Sequence, residues 1–66
     1  MDAQEEVLKN VYDNACELLS IHASKEDFYH LFEESKAKIT RPSLLKMLEN
    51  YENAFYELAE LLDFKH

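Results

Sequence analysis

His30 stands in the densest set of potential metal ligands in the chain. Glu26 and Asp27 precede it by four and three residues, and Glu33 and Glu34 follow it. On a helix, residues three and four apart share a face, so imidazole and carboxylates could meet a divalent cation there. A closed site needs about four ligands, and helical bundles draw them from several helices. The remaining candidates are Cys16 and His22, six residues apart and so on different faces, and His66, the last residue. The cluster is therefore expected to be a solvated histidine among acids, with no metal and no cofactor.

Cys16 is the other residue with intrinsic reactivity. A nucleophilic cysteine needs a base within hydrogen-bond reach, and His22 lies more than a turn away. Cys16 is expected to behave as a small core residue, as free cysteine usually does. The chain contains no glycine, which removes the glycine-rich loops that cradle phosphates. A chain of 66 residues also has little room for a substrate cavity of about 300 Å3. No catalytic set is visible, and an enzyme is not expected.

Charge is more informative. The formal net charge is -7, from 7 cations and 14 acids. Four of the cations, Lys36, Lys38, Arg41 and Lys46, fall in one segment that holds no acid. Around the expected start of the third helix, Lys38, Thr40, Arg41, Ser43 and Lys46 form a candidate site for an anion or for DNA. Cations there oppose the helix dipole, so a bound phosphate or a partner's carboxylate would relieve them. The acids form rows instead. Glu49, Asn53, Glu57 and Glu60 line one side of the third helix, and Glu52, Tyr56, Glu60 and Asp63 line an adjoining side. Asp13 and Glu17 share a face of the first. Glu49, Glu52, Tyr56, Glu57 and Glu60 are the candidate partner-binding residues. An acidic surface repels nucleic acid and favours a basic partner.

The stretch Ile39-Thr40-Arg41-Pro42-Ser43-Leu44-Leu45-Lys46-Met47-Leu48 resembles the turn and recognition helix of helix-turn-helix repressors. That resemblance implies DNA binding, with Thr40, Arg41, Ser43 and Lys46 facing the major groove. It covers ten residues. The family's turn glycine is Lys38 here, and Glu33 and Glu34 stand where the family's first helix carries apolar and small residues. A DNA-binding regulator is the alternative function.

The elements that must position these residues are helical. Leu8, Val11, Ala15, Leu18 and His22 recur at helical spacing, widened by Val7, Tyr12 and Leu19. Asp2 is a capping residue with Glu5 three positions on, and the first helix is expected at about residues 3–22. Ser24 offers a capping hydroxyl, with Glu26 and Asp27 in the turn that the dipole favours. Phe28, Leu31, Phe32, Ser35 and Ile39 then mark a short second helix, about 25–37. Pro42 suits a first helical position. From it Leu44, Leu48, Tyr51, Phe55, Leu58 and Leu62 form a seam to about residue 63, flanked by Met47, Ala54 and Leu61. Pairs in the favourable order, Glu5 with Lys9 and Glu34 with Lys38, support the first two helices.

The expected architecture is all-α, a single domain over residues 1–66. It is a small three-helix bundle with two shorter helices packed on a long C-terminal one. Tyr51 and Phe55 are too bulky, and Met47, Ala54 and Leu61 too apolar, for the flanks of a two-stranded coiled coil. A second copy remains a candidate partner. No stretch approaches the roughly 20 apolar residues that span a bilayer. The acidic opening residues do not resemble a targeting peptide, and the lone cysteine suits a reducing compartment, so the expected location is cytoplasmic. The expected function is a small acidic regulatory protein that binds another protein with a basic surface. An inhibitor, anti-repressor or antitoxin-like subunit would each fit.

Overall fold

The computed structural model describes residues 2–64, with side chains to Leu62. It contains α1 (Ala3–Ser20), α2 (Lys25–Lys38) and α3 (Pro42–Phe64), and every helix packs on both others. The chain is an all-α three-helix bundle. α3 is the longest element, as its seam implied. The side chain of Asp63 and all of His66 lie outside the described residues.

Helix ends follow from local chemistry. Asp2 has extended backbone angles, and its Oδ1 accepts from the Gln4 backbone N–H at 2.9 Å. That satisfies one of the four amides every helix start leaves unpaired. Glu5 turns toward Arg41 rather than completing a capping box. At α2, Ser24 is the N-cap by backbone geometry, but its hydroxyl makes no cap bond. Its carbonyl accepts from Asp27 N–H instead.

α1 stops two residues short of the expected 22. His22 adopts φ 56, the left-handed conformation that ends helices. Its N–H then donates to the Leu19 carbonyl at 3.1 Å, and Ala23 N–H donates to that of Leu18 at 3.0 Å. This is a Schellman closure, built here without glycine. An L-residue in that conformation costs about 1 kcal/mol or more. His22→Gly and His22→Ala both delete the imidazole, so their difference isolates the backbone. The glycine variant is expected to be about 1 kcal/mol the more stable by urea denaturation. Equal midpoints would remove the strain at this position from the account.

The core joins Leu8, Val11 and Ala15 of α1, Phe28 and Phe32 of α2, Ile39, and Leu44, Leu48, Phe55 and Ala59 of α3. At its centre is Phe55. Its ring centroid lies 6.4 Å from Phe28, 6.1 Å from Phe32 and 5.5 Å from Tyr12, distances at which aromatic pairs add to plain burial. Holding Phe55 against two α2 phenylalanines turns α3 toward α2. The buried row becomes Leu44, Leu48, Glu52, Phe55 and Ala59, spaced four, four, three and four. Two expectations are corrected by this rotation. Leu58, placed in the seam, is 44% exposed, and Glu52, placed on the outer face, is 9% exposed. Met47, Ala54 and Leu61 were expected to widen the buried face, but they are exposed too. Tyr51 and Leu62 are half-buried.

Candidate partner-binding surfaces

The outer face of α3 separates into tied and free residues. Glu52 is not a surface residue. Lys36 Nζ from α2 lies 2.7 Å from its Oε1, and Tyr56 Oη donates to its Oε2 at 3.0 Å. A buried carboxylate is tolerable only when paired and hydrogen-bonded, and both oxygens are satisfied here. Tyr56, expected on the partner-binding side of the third helix, is half-buried, with its ring 6.2 Å from Phe32. Glu60 forms an ion pair with Lys25 across the α2–α3 cleft. Glu49 and Glu57 are exposed and have no cationic partner among the described residues. The structure thus brings Glu52 and Tyr56 together for an internal task and leaves Glu49 and Glu57 to solvent.

The internal set has a consequence at high pH. Burial first, and then the hydrogen bond to Glu52, push the Tyr56 phenol up to about 12. The Glu52 hydrogen bond also raises the Lys36 ammonium above its ordinary value. In both cases the folded state holds a proton that the unfolded chain loses near pH 10. The stabilisation is complete below that pH and is lost as pH rises through the folded values. Unfolding free energy is expected to be level to about pH 9 and to fall by about 2 kcal/mol between roughly pH 10 and 12. Tyr56→Phe should make that fall shallower, at a cost of about 1 kcal/mol near neutrality. Parallel alkaline profiles for the two proteins would show that Tyr56 does not contribute.

The basic segment is largely occupied as well. Gln4 of α1 holds the α2–α3 link: its Oε1 accepts from the backbone N–H of Thr40 and of Arg41, each at 3.1 Å, and its Nε2 donates to Thr40 Oγ1 at 2.9 Å. The Arg41 guanidinium lies 2.7 Å from Asp2 Oδ2 and 3.8 Å from Glu5 Oε1. The misplaced cation at the start of α3 is therefore answered by the acids that open α1. Ser43 and Lys46 are exposed on α3, and Lys38 is exposed at the end of α2. Of the candidate anion set, Thr40 and Arg41 are bound internally, while Lys38, Ser43 and Lys46 are not. The expected Glu5–Lys9 and Glu34–Lys38 pairs do not form; Lys36 reaches Glu33 at 3.4 Å instead.

Cys16 is exposed rather than in the core. His30 is exposed, its ring 6.0 Å from that of Tyr29. Among the described residues, no group of three or more His, Cys, Asp or Glu is arranged to hold a metal ion. No described helix is long and apolar enough to cross a membrane.

One surface escaped the sequence reading. Between α1 and α2 runs a groove lined by Asn14, Glu17, Leu18, Ile21, Asp27, His30, Leu31 and Glu34. Ile21 is 67% exposed, and Leu18 and Leu31 are half-buried. A second depression, lined by Val7, Asn10, Val11 and Lys38 among others, shares Asn14, Leu31 and Glu34 with it. The available signal was that Leu18 and Leu31 belong to the two apolar stripes, with Val7 widening the first and Ile21 apolar just beyond it. Separately, Met47, Leu58 and Leu61 form an exposed apolar row on α3.

Comparison with protein-family models, with characterised proteins and with solved structures finds no match for this chain.

Proposed function

We propose that this protein is a small regulatory binding module that engages a partner protein through the partner's cationic surface. The observation that carries the reading is the uneven use of charge. Asp13 and Glu17 of α1, Glu26, Asp27 and Glu34 of α2, and Glu49 and Glu57 of α3 have no cationic partner among the described residues. Arg41, Lys36 and Lys25 are all committed to internal ion pairs. Those pairs also take up Asp2, Glu5, Glu33, Glu52 and Glu60, and the unpaired charges among the described side chains remain strongly acidic, with Lys9, Lys38 and Lys46 against these seven carboxylates and Glu6. Such a surface steers oppositely charged partners and rejects polyanions.

The test is capture from the source organism at low salt, with the chain's carboxylates reversed in pairs. A cationic partner should be retained by the parent protein and should elute as ionic strength approaches about 0.5 M, where screening lengths fall well below 10 Å. Glu17→Lys/Glu34→Lys or Glu49→Lys/Glu57→Lys should each leave the fold intact, and at least one pair should release the partner. A complex indifferent to salt and to both pairs would contradict the reading. Retardation of arbitrary duplex DNA at low salt, lost on Arg41→Ala/Lys46→Ala, would replace it with DNA binding through residues 39–48.

A further inference from the structure

The α1–α2 groove combines an apolar floor with a carboxylate rim. Half-buried Leu18 and Leu31 supply the floor and exposed Ile21 extends it at one end, while Glu17 stands on the α1 side and Asp27 and Glu34 on the α2 side. None of the three acids has a cationic partner among the described residues. The two depressions that share Asn14, Leu31 and Glu34 make one channel along α1 from Val7 to Ile21. Fourteen residue steps at helical rise give it a length of roughly 21 Å. That length matches about four turns of a docked helix. Lys38 lies at the Val7 end of the channel, so the negative charge is concentrated toward Ile21.

We propose, resting on the cationic-partner reading, that this groove receives an amphipathic helix of the partner protein with lysine or arginine on both flanks of its apolar stripe. Apolar side chains spaced three and four apart would lie on Leu18, Ile21 and Leu31, the way amphipathic helices enter grooves generally. Flanking cations would reach Glu17 on one side and Asp27 and Glu34 on the other. Charge complementarity selects this occupant over a second copy. A second copy would bring its own acidic surface to an acidic rim, and like charges brought together oppose association. The uncharged row of Met47, Leu58 and Leu61 is the surface on which a second copy would meet less repulsion.

The experiment is a nuclear magnetic resonance titration of the full chain with a 14-residue leucine–lysine peptide whose leucines share one helical face. The comparator has the same composition, scrambled so that the leucines do not. At about 0.1 M salt the amphipathic peptide should bind at least about tenfold tighter, and it should shift the amides of Leu18, Ile21 and Leu31 most. Ile21→Ser removes an exposed side chain and should weaken binding about tenfold, in line with burying one large aliphatic group. Glu17→Lys/Glu34→Lys should weaken it by at least as much, with circular dichroism confirming that each variant remains helical. Equal binding of both peptides, mapped to Glu49 and Glu57, would overturn the groove assignment while leaving the cationic-partner reading standing. Shifts centred on Met47, Leu58 and Leu61, or a dimer in sedimentation that occludes the groove, would also overturn the assignment. Failure of both peptides to bind at low salt would overturn both readings.

Discussion

Replacing Lys36 with methionine is expected to lower the unfolding free energy by about 3 kcal/mol. The variant keeps the bulk of the side chain and removes the charge that answers buried Glu52 and, more loosely, exposed Glu33. Losing one member of a buried ion pair typically costs about 3–5 kcal/mol, because the remaining charge is desolvated and alone. The lower end applies here, since the Lys36 side chain is 31% exposed and that of Glu52 only 12%. Tyr56 Oη still donates to Glu52, but one hydroxyl does not neutralise a carboxylate. In a domain of this size each kcal/mol moves the melting temperature by about 4–8 °C. A fall of about 12–24 °C should therefore be seen by circular dichroism. Lys36→Met/Glu52→Met should recover nearly all of it, because a well-packed apolar pair replaces a buried ionic one at little cost. A single variant that melts with the parent would show that Glu52 is not held as a buried charge.

Phe55→Ala should be still more damaging. The ring is 4% exposed and touches aromatic groups from both other helices. Truncating a buried phenylalanine costs about 3–5 kcal/mol. At about 0.05–0.15 kcal/mol per residue the whole domain has roughly 3–10 kcal/mol in reserve. The variant is therefore expected to show little or no cooperative unfolding and reduced helical ellipticity at room temperature. Leu58→Ala makes the matching control, since Leu58 sits in the same heptad pattern but is exposed. It should cost under about 1 kcal/mol, as surface substitutions do. Comparable losses from the two would place α3 in the orientation that its apolar seam suggests, not the observed one.

That contrast shows where sequence reasoning reached its limit. Helix count, order and starts followed from apolar spacing, from Asp2 and Ser24 before two helices, and from Pro42 opening the third, whereas the end of α1 was set by His22. Spacing alone could not fix the rotation of α3 about its axis. Position 52 completes the row Leu44, Leu48, Phe55 and Ala59, yet a glutamate there reads as surface until Lys36 and Tyr56 are known to meet it. Tyr56 is its neighbour one turn along α3, but the Lys36 contact depends on how two helices cross. Arg41 was legible as a cation at the wrong end of a helix, but its answer, Asp2 and Glu5, lies about 40 positions earlier. The α1–α2 groove was hidden for the same reason: each helix supplies half of it, and Ile21 lies beyond the helix end that His22 sets.

On the proposed reading, the free carboxylates of this chain contact cationic groups of a partner protein. Zero-length carboxylate–amine cross-linking in cells of the source organism, read by mass spectrometry, tests it most directly. Links are expected from partner lysines to Glu17, Asp27, Glu34, Glu49 or Glu57, and none to the buried Glu52. Cross-links absent from all five, with the partner attached instead beside Met47, Leu58 and Leu61, would contradict it.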